Sequence, residues 1–297
     1  MTRLFCENGK RFMENKKRKA LRALVLAGMA VCLILIGRAY CQSARHEAQQ
    51  GSLREALREK EEKAPASDVS EPNEISASVP ESQSKSDAEN QGKSSEESGG
   101  QLGEKPEMLE RYAALYEENE ELAGWISIEG MKIDYPVMQS QDDEYYLHHD
   151  FYGEESKYGC LYVKGQADLD AGTNFIIYGH NMKDGSMFGD LDLYLKESFY
   201  KEHPAVSFDT LYEERAYDIM AVFRSQVYNE DDDVFKYYRF YEADTQEEFE
   251  DFYSNVKELS LYDTGVEAKF GDTFLTLSTC AYHVPDGRLV VVAKRTR

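Results

Sequence analysis

The 297 residues carry 56 Asp and Glu against 34 Lys and Arg, a formal net charge of -22. An acidic excess of this size, with no clustered basic face outside the N-terminus, excludes nucleic acid as an expected partner. Composition also divides the chain into four zones, a basic 1–19, an apolar 20–37, a polar and charged 38–105, and a 106–297 of the size and apolar density of one domain.

Residues 20–37 (ALRALVLAGMAVCLILIG) are apolar except for Arg22, close to the roughly 20 residues a helix needs to cross a bilayer core. Lys10, Arg11, Lys16, Lys17, Arg18, Lys19 and Arg22 crowd the N-terminal side. The positive-inside rule then predicts a single pass, with 1–19 in the cytoplasm and everything after Arg38 outside the cell membrane. A cleaved signal peptide is the competing reading. The run is long for that, and the flank after it is a poor small-residue cleavage site.

The segment 42–63 is charged and contains Ala and Leu, which fits a solvated helix continuing out of the membrane. From 64 to 105 Ser, Glu, Pro, Gln, Gly and Lys dominate. Such a stretch buries too little apolar surface to offset chain entropy, so 38–105 is expected to be a largely disordered extracellular stalk that gives the domain reach.

The domain opens with a helical pattern at Met108, Leu109, Tyr112, Leu115 and Tyr116, ended by Gly124 and Trp125 before Ile126 and Ile128 alternate. Short strand-like runs follow at 133–138, 160–163, 174–178, 205–210, 216–226, 234–241, 274–277 and 289–294. Many short strands suggest a barrel or a sandwich. Two helices interrupt them. One spans 187–200, with Phe188, Leu191, Leu195 and Phe199 on one face. The other begins at a capping box of Thr245 and Glu248 and carries Phe249, Phe252, Tyr253, Val256 and Leu259 toward the core.

Of five cysteines only Cys160 and Cys280 fall in the domain, which is no disulfide framework, although a Cys160–Cys280 pair is open on sequence grounds. Cys160 lies in an apolar run (GCLYV) and reads as a small buried thiol. Cys280 ends the β-rich TFLTLSTC, where a strand holds a side chain rigidly and a substrate can reach it. A thiol with an ordinary pKa near 8.5 is mostly protonated at neutral pH, so a base or a nearby cation must activate it. His180, ending NFIIYGH, can protonate a departing amine and deprotonate an incoming one. Arg288, after the Pro285-Asp286-Gly287 turn, cannot act as a base but can donate hydrogen bonds to an oxyanion and favour the thiolate. Each has a plainer alternative, a structural histidine for His180 and a surface ion pair with Asp286 for Arg288.

TLSTC with an arginine eight positions on in DGRLVVVAKR, and IIYGHNMKDGSMFGDL around the histidine, resemble a class B sortase. GWISIEGMKIDYPVMQ, DDEYYLHHDF and KYGCLYV extend the resemblance over essentially 109–297. It implies a mainly β fold, an eight-stranded sortase-type barrel with peripheral helices, here preceded by a transmembrane helix and a disordered linker. It implies a cysteine transpeptidase that cleaves the C-terminal sorting signal of surface proteins through a thioester on Cys280. The acyl group then passes to an amine of a cell-wall precursor or another acceptor in a Gram-positive-type envelope. Cys280, His180 and Arg288 take the catalytic roles, and Ser278, Thr279, Asn181 and Tyr282 are expected to contact substrate. Neither a cofactor nor a metal is expected. Cys160 departs from the small polar residue anticipated at its position.

His283 is a rival base placed on the connecting turn. His148 and His149 lack the further ligands of a metal site. Asp231, Asp232 and Asp233 read as a solvated loop, with calcium as a minor alternative. A hydrolase using the same residues, or a wall-binding module with Cys280 in its core, are the competing functions. Wall anchoring is expected over pilus assembly because no second apolar span follows the domain and no lid motif precedes it.

Overall fold

The computed structural model describes the backbone of residues 2–61 and 106–297, so the disorder expected for 64–105 lies outside the described residues. The basic cluster expected to orient the span has side chains that also fall outside them, Arg22 apart. α1 (Thr2–Glu61) is one uninterrupted helix, long and apolar enough over its first part to cross a membrane, and none of that apolar window is covered by protein. Its later part is different. Leu53, His46 and Gln50 are buried, against an expectation of a solvated helix.

The strands are β1 (Leu122–Ser127), β2 (Asp134–Gln139), β3 (Leu161–Val163), β4 (Asn174–Gly179), β5 (Ala205–Thr210), β6 (Ala216–Gln226), β7 (Phe274–Cys280) and β8 (Gly287–Arg295). They close into a barrel in the order β1-β2-β3-β4-β7-β8-β6-β5. Closure pairs every strand on both sides and leaves no free edge. The interior is filled by Ile126, Val137, Leu161, Ile177, Phe208, Val222, Leu277 and Val291.

Helices cover two parts of the outer wall. α2 (Glu110–Glu118) and the end of α1 join Leu53, Tyr112 and Leu115 to Trp125, Met138 and Cys160. α5 (Gln246–Leu259) lays Phe249, Phe252 and Val256 on Ile176, Met220, Phe223, Phe274, Val290 and Val292. With both faces covered, β7 and β8 are buried almost along their length, which is why they read as near-continuous apolar runs. α5 starts at Thr245 with both hydrogen bonds of the capping box made. Leu259, expected on its buried face, is exposed at the helix end.

Three expectations are corrected. Residues 234–241 form no strand; a 3-10 turn at Tyr237–Arg239 drops Tyr237 into the core, while Phe235 and Phe240 both pack on Phe252. Aromatic spacing there serves two different surfaces, which imitates alternation. The eighth strand is instead β1, since Gly124 and Trp125 belong to it and the helix before them ends at Glu118. The helix expected over 187–200 is a 3-10 helix (Gly189–Leu195) followed by α4 (Glu197–Glu202), broken where Lys196 is extended. A further short helix, α3 (Tyr145–His148), sits between β2 and β3.

Candidate active site

β4 and β7 run parallel, with Tyr178 beside Ser278 and Gly179 beside Thr279. The ladder ends there, with His180 the residue after β4 and Cys280 the last residue of β7. β7 and β8 are antiparallel, and Cys280 is the direct partner of Arg288. Residues in register on neighbouring strands point to the same face. His180, Cys280 and Arg288 therefore lie at neighbouring ends of three adjacent strands, although 108 positions separate the first from the last in sequence.

Several contacts hold these strand ends. Thr279 donates its hydroxyl to the Gly179 carbonyl at 2.8 Å, and Thr276 donates to Asn174 Oδ1 at 2.9 Å, so two side chains staple β4 to β7. Asn181 donates to the Cys280 carbonyl at 2.9 Å, with Asp192 near the same amide at 3.4 Å. Gly179 has no room for a side chain, because a Cβ there would meet Leu161 Cδ2 at 2.3 Å and the Phe188 ring at 2.9 Å. The β7–β8 turn is closed by Ala281 N donating to Gly287 O at 2.9 Å and Gly287 N to Val284 O at 3.1 Å, with Asp286 in the left-handed region at φ 52°.

The Nε2 of His180 lies 2.8 Å from the Leu147 carbonyl of α3. A carbonyl only accepts, so Nε2 donates in this contact and Nδ1 is the nitrogen left open to exchange a proton. Arg288 is half-buried, and its Nη1 donates to the carbonyls of Asp286 at 3.2 Å and Gly287 at 3.0 Å. Those bonds go to neighbouring backbone rather than to the Asp286 carboxylate, which is not the surface ion pair open from sequence. Cys280 is half-buried and free, and Cys160 is a separate, fully buried thiol whose pKa is pushed up by burial. The pairing of these two, open from sequence, is absent.

Tyrosines form the floor. Tyr237 exchanges a hydrogen bond of 2.8 Å with Ser278, and Tyr162 stacks on Tyr178 with centroids 5.6 Å apart. Burial pushes the phenols of Tyr162 and Tyr237 up to about 12, and both feel the opposing influences of Arg288, which lowers them, and Cys280, which raises them. Burial likewise raises Tyr178. All three stay neutral donors at physiological pH. They went unnoticed in sequence because buried tyrosine at strand spacing looks like ordinary core.

Of the four residues expected to contact substrate, Ser278 and Thr279 are buried, with their hydroxyls engaged by Tyr237 and Gly179. Asn181 is engaged with Cys280. Tyr282 is 82% exposed on the β7–β8 turn. Beside that turn a cavity of about 290 Å³ is lined by Asp192, Leu195, Arg224, Ala281, His283 and Leu289, with Tyr282 at its edge. His283 is exposed there, and His149 stacks on Tyr145 with Nδ1 2.7 Å from its carbonyl.

Comparison with known proteins places the fold in a family. The sortase domain model matches residues 126–296. The chain is 37% identical over 185 residues to sortase B of Listeria monocytogenes, spanning 59% of this chain and 70% of that protein. It is 30% identical to sortase B of Staphylococcus aureus, over 62% of this chain and 74% of that one. Among solved structures, sortase B of Bacillus anthracis superposes with a TM-score of 0.57 at 34% identity, covering 65% of this chain and 88% of its own. The S. aureus sortase B–substrate complex superposes with the same TM-score at 30% identity, covering 63% of this chain and 85% of its own. With a closed eight-stranded barrel, a sortase domain match over more than half its length, and sortase B relatives of this identity over most of their length, the chain belongs to the sortase family and is a class B sortase cysteine transpeptidase.

Proposed function

We propose that Cys280 is the nucleophile that cleaves the sorting signal of a surface protein, and that His180 and Arg288 complete the reaction. The Sγ thiolate attacks the carbonyl carbon of the scissile peptide bond. Arg288 donates to the carbonyl oxygen as it becomes negative. His180, charged at that stage, gives its proton to the departing amine, and a thioester to Cys280 remains. An amine acceptor from the cell-wall precursor then attacks the thioester, His180 takes its proton, and the new amide leaves with Cys280 restored as thiolate.

The observation that carries this reading is that β4, which ends just before His180, and β8, which carries Arg288 opposite Cys280, flank β7 on its two sides. The bond from Nε2 to Leu147 supports it further, because it leaves Nδ1 as the nitrogen for proton transfer. Tyr282 and the adjoining cavity offer exposed surface for the peptide or the acceptor. The exposed apolar part of α1 supports an N-terminal membrane anchor, with the barrel on the extracytoplasmic side.

Incubation of the protein with a sorting-signal peptide library and an amine acceptor tests the proposal. Ligated product and a Cys280-linked acyl-enzyme are expected, both lost in Cys280→Ala. Persistence of ligation in that variant overturns it, and cleavage without ligation at saturating amine makes the protein a hydrolase instead.

A further inference from the structure

A span followed by a disordered stalk would let the domain roam, but the described contacts place its attachment elsewhere. α1 runs without a break from the apolar window into its contacts with the barrel. Arg45 pairs with Glu154, and His46 stacks on Tyr158 with centroids 4.0 Å apart. Arg54 then donates from Nε to the Asp134 carbonyl at 2.9 Å and lies 5.2 Å over the Tyr135 ring, while Leu53 is 1% exposed against Tyr112 and Leu115. The first of these contacts comes eight residues after Gly37, about 12 Å along a helix. A flexible coil of the length of 38–105 would instead have a mean reach of about 45 Å.

The segment beyond α1 therefore does not separate barrel from membrane. It leaves at Glu61 from a helix already docked, and the chain returns at Met108 and Leu109 to the same apolar cluster, where Leu53, Ala56 and Leu57 of α1 meet α2. An insertion whose two ends rest on one domain adds nothing to that domain's reach.

What meets the contact-starting end of α1 is a braced turn. Asp150 is 6% exposed, and its Oδ1 accepts from Tyr152 N and Glu154 N at 3.0 Å each. Phe151 is fully buried beneath, its carbonyl held by Asn119 at 2.7 Å. Tyr152, at the tip, is 51% exposed and Tyr40 on the preceding turns of α1 is 75% exposed. Tyrosine is a residue type suited to the headgroup layer, with an apolar ring and a polar end, and the Tyr152 phenol here is bonded to Glu118. Glu154 is neutralised locally by Arg45, and Lys157 sits 4.8 Å from the Tyr158 ring. The surface is mixed in charge, so the covalent helix rather than lipid charge sets the distance.

We infer that the barrel is held against the bilayer surface by the docked part of α1, with the Asp150–Glu154 turn and Tyr152 facing the lipid headgroups, and that 62–105 is an excursion from the domain rather than a spacer beneath it. The inference rests on the membrane-anchor reading of α1. Leu147, whose carbonyl holds His180, precedes the lipid-facing turn by three residues, which links the membrane face to the proposed catalytic residues.

The test uses the full chain in phosphatidylcholine vesicles, with one added tryptophan and the signal of the single native Trp125 subtracted. Leu33→Trp reports the span through quenching by acyl-chain nitroxide lipid. Tyr152→Trp reports the turn through headgroup nitroxide lipid. Quenching at both is expected, equally with and without anionic lipid, and unchanged when 62–105 is replaced by a short Gly/Ser linker. Quenching at Leu33→Trp without quenching at Tyr152→Trp overturns the placement while keeping the anchor. No quenching at either site overturns both, and quenching at Tyr152→Trp that appears only after the replacement makes 62–105 a spacer and overturns the inference.

Discussion

The Asn181 side chain donates to the backbone carbonyl of Cys280 at 2.9 Å, tying the residue after the histidine directly to the cysteine. The bond crosses from the β4 loop to the end of β7, so it fixes the separation of the two proposed catalytic strand ends. Asn181→Ala should lower kcat about fivefold, the equivalent of one hydrogen bond's net worth of roughly 1 kcal/mol. KM for the signal peptide should change little, and Tm should shift by only a few degrees. Steady-state kinetics beside a melting curve check this; a large rise in KM with unchanged kcat would instead make Asn181 a substrate contact.

Arg288 lies opposite Cys280 in the β7–β8 register. If its guanidinium meets the developing oxyanion, Arg288→Ala should reduce kcat by about 10²–10³. Arg288→Lys should recover only part of that, because an ammonium lacks the planar fork of donors. Single-turnover acylation rates for the three proteins provide the measurement.

Tyr237 and Ser278 satisfy each other 2.8 Å apart, both essentially without solvent access. Tyr237→Phe leaves a buried hydroxyl alone and should cost about 1–3 kcal/mol of stability. Adding Ser278→Ala should return much of the loss, since neither polar partner then remains. A double-mutant cycle by urea unfolding reads the coupling directly.

Gly179 is crowded by Leu161 and Phe188. Gly179→Ala should destabilise the barrel by about 1–3 kcal/mol through overpacking. It should also impair activity beyond what instability accounts for, because His180 follows immediately. Activity measured well below the variant's Tm separates the two effects.

His46 lies beyond the span, buried against Tyr158, and burial holds its pKa below the ordinary 6.5 against the opposing pull of Asp184. An undocked α1 would take up a proton near pH 6.5 that the docked one refuses. Docking should therefore be fully favourable above pH 6.5, weaken as pH falls below it, and level off once the lower docked pKa is passed. Amide exchange across 42–60, compared between pH 7.5 and 5.5, should show faster exchange at the lower pH. In His46→Phe the difference should shrink.

Much of the domain was legible locally. The apolar runs of β4, β7 and β8, the turn residues Pro285, Asp286 and Gly287, and the Thr245 capping box each encode their own conformation within a few residues. Errors arose where one pattern serves two surfaces. Phe235, Tyr237 and Phe240 alternate well enough to imitate a strand, yet only their partners on α5 and β7 reveal the turn. Lys196 likewise breaks an apolar period that looked like one helix.

The set of catalytic candidates shows the division most sharply. Sequence alone determined that Cys280, His180 and Arg288 are chemically competent residues at the ends or starts of strand-like runs, and the motif around them determined the family they resemble. Only the tertiary structure decided that β4 lies parallel to β7, that Asn181 ties the two, that Tyr237 underlies them, and that α1 docks on the wall it was expected to leave behind. Periodicity and turn chemistry are set by near neighbours in the chain. Strand register and helix docking are set by which buried faces fit together across a hundred residues, and no local pattern records that choice.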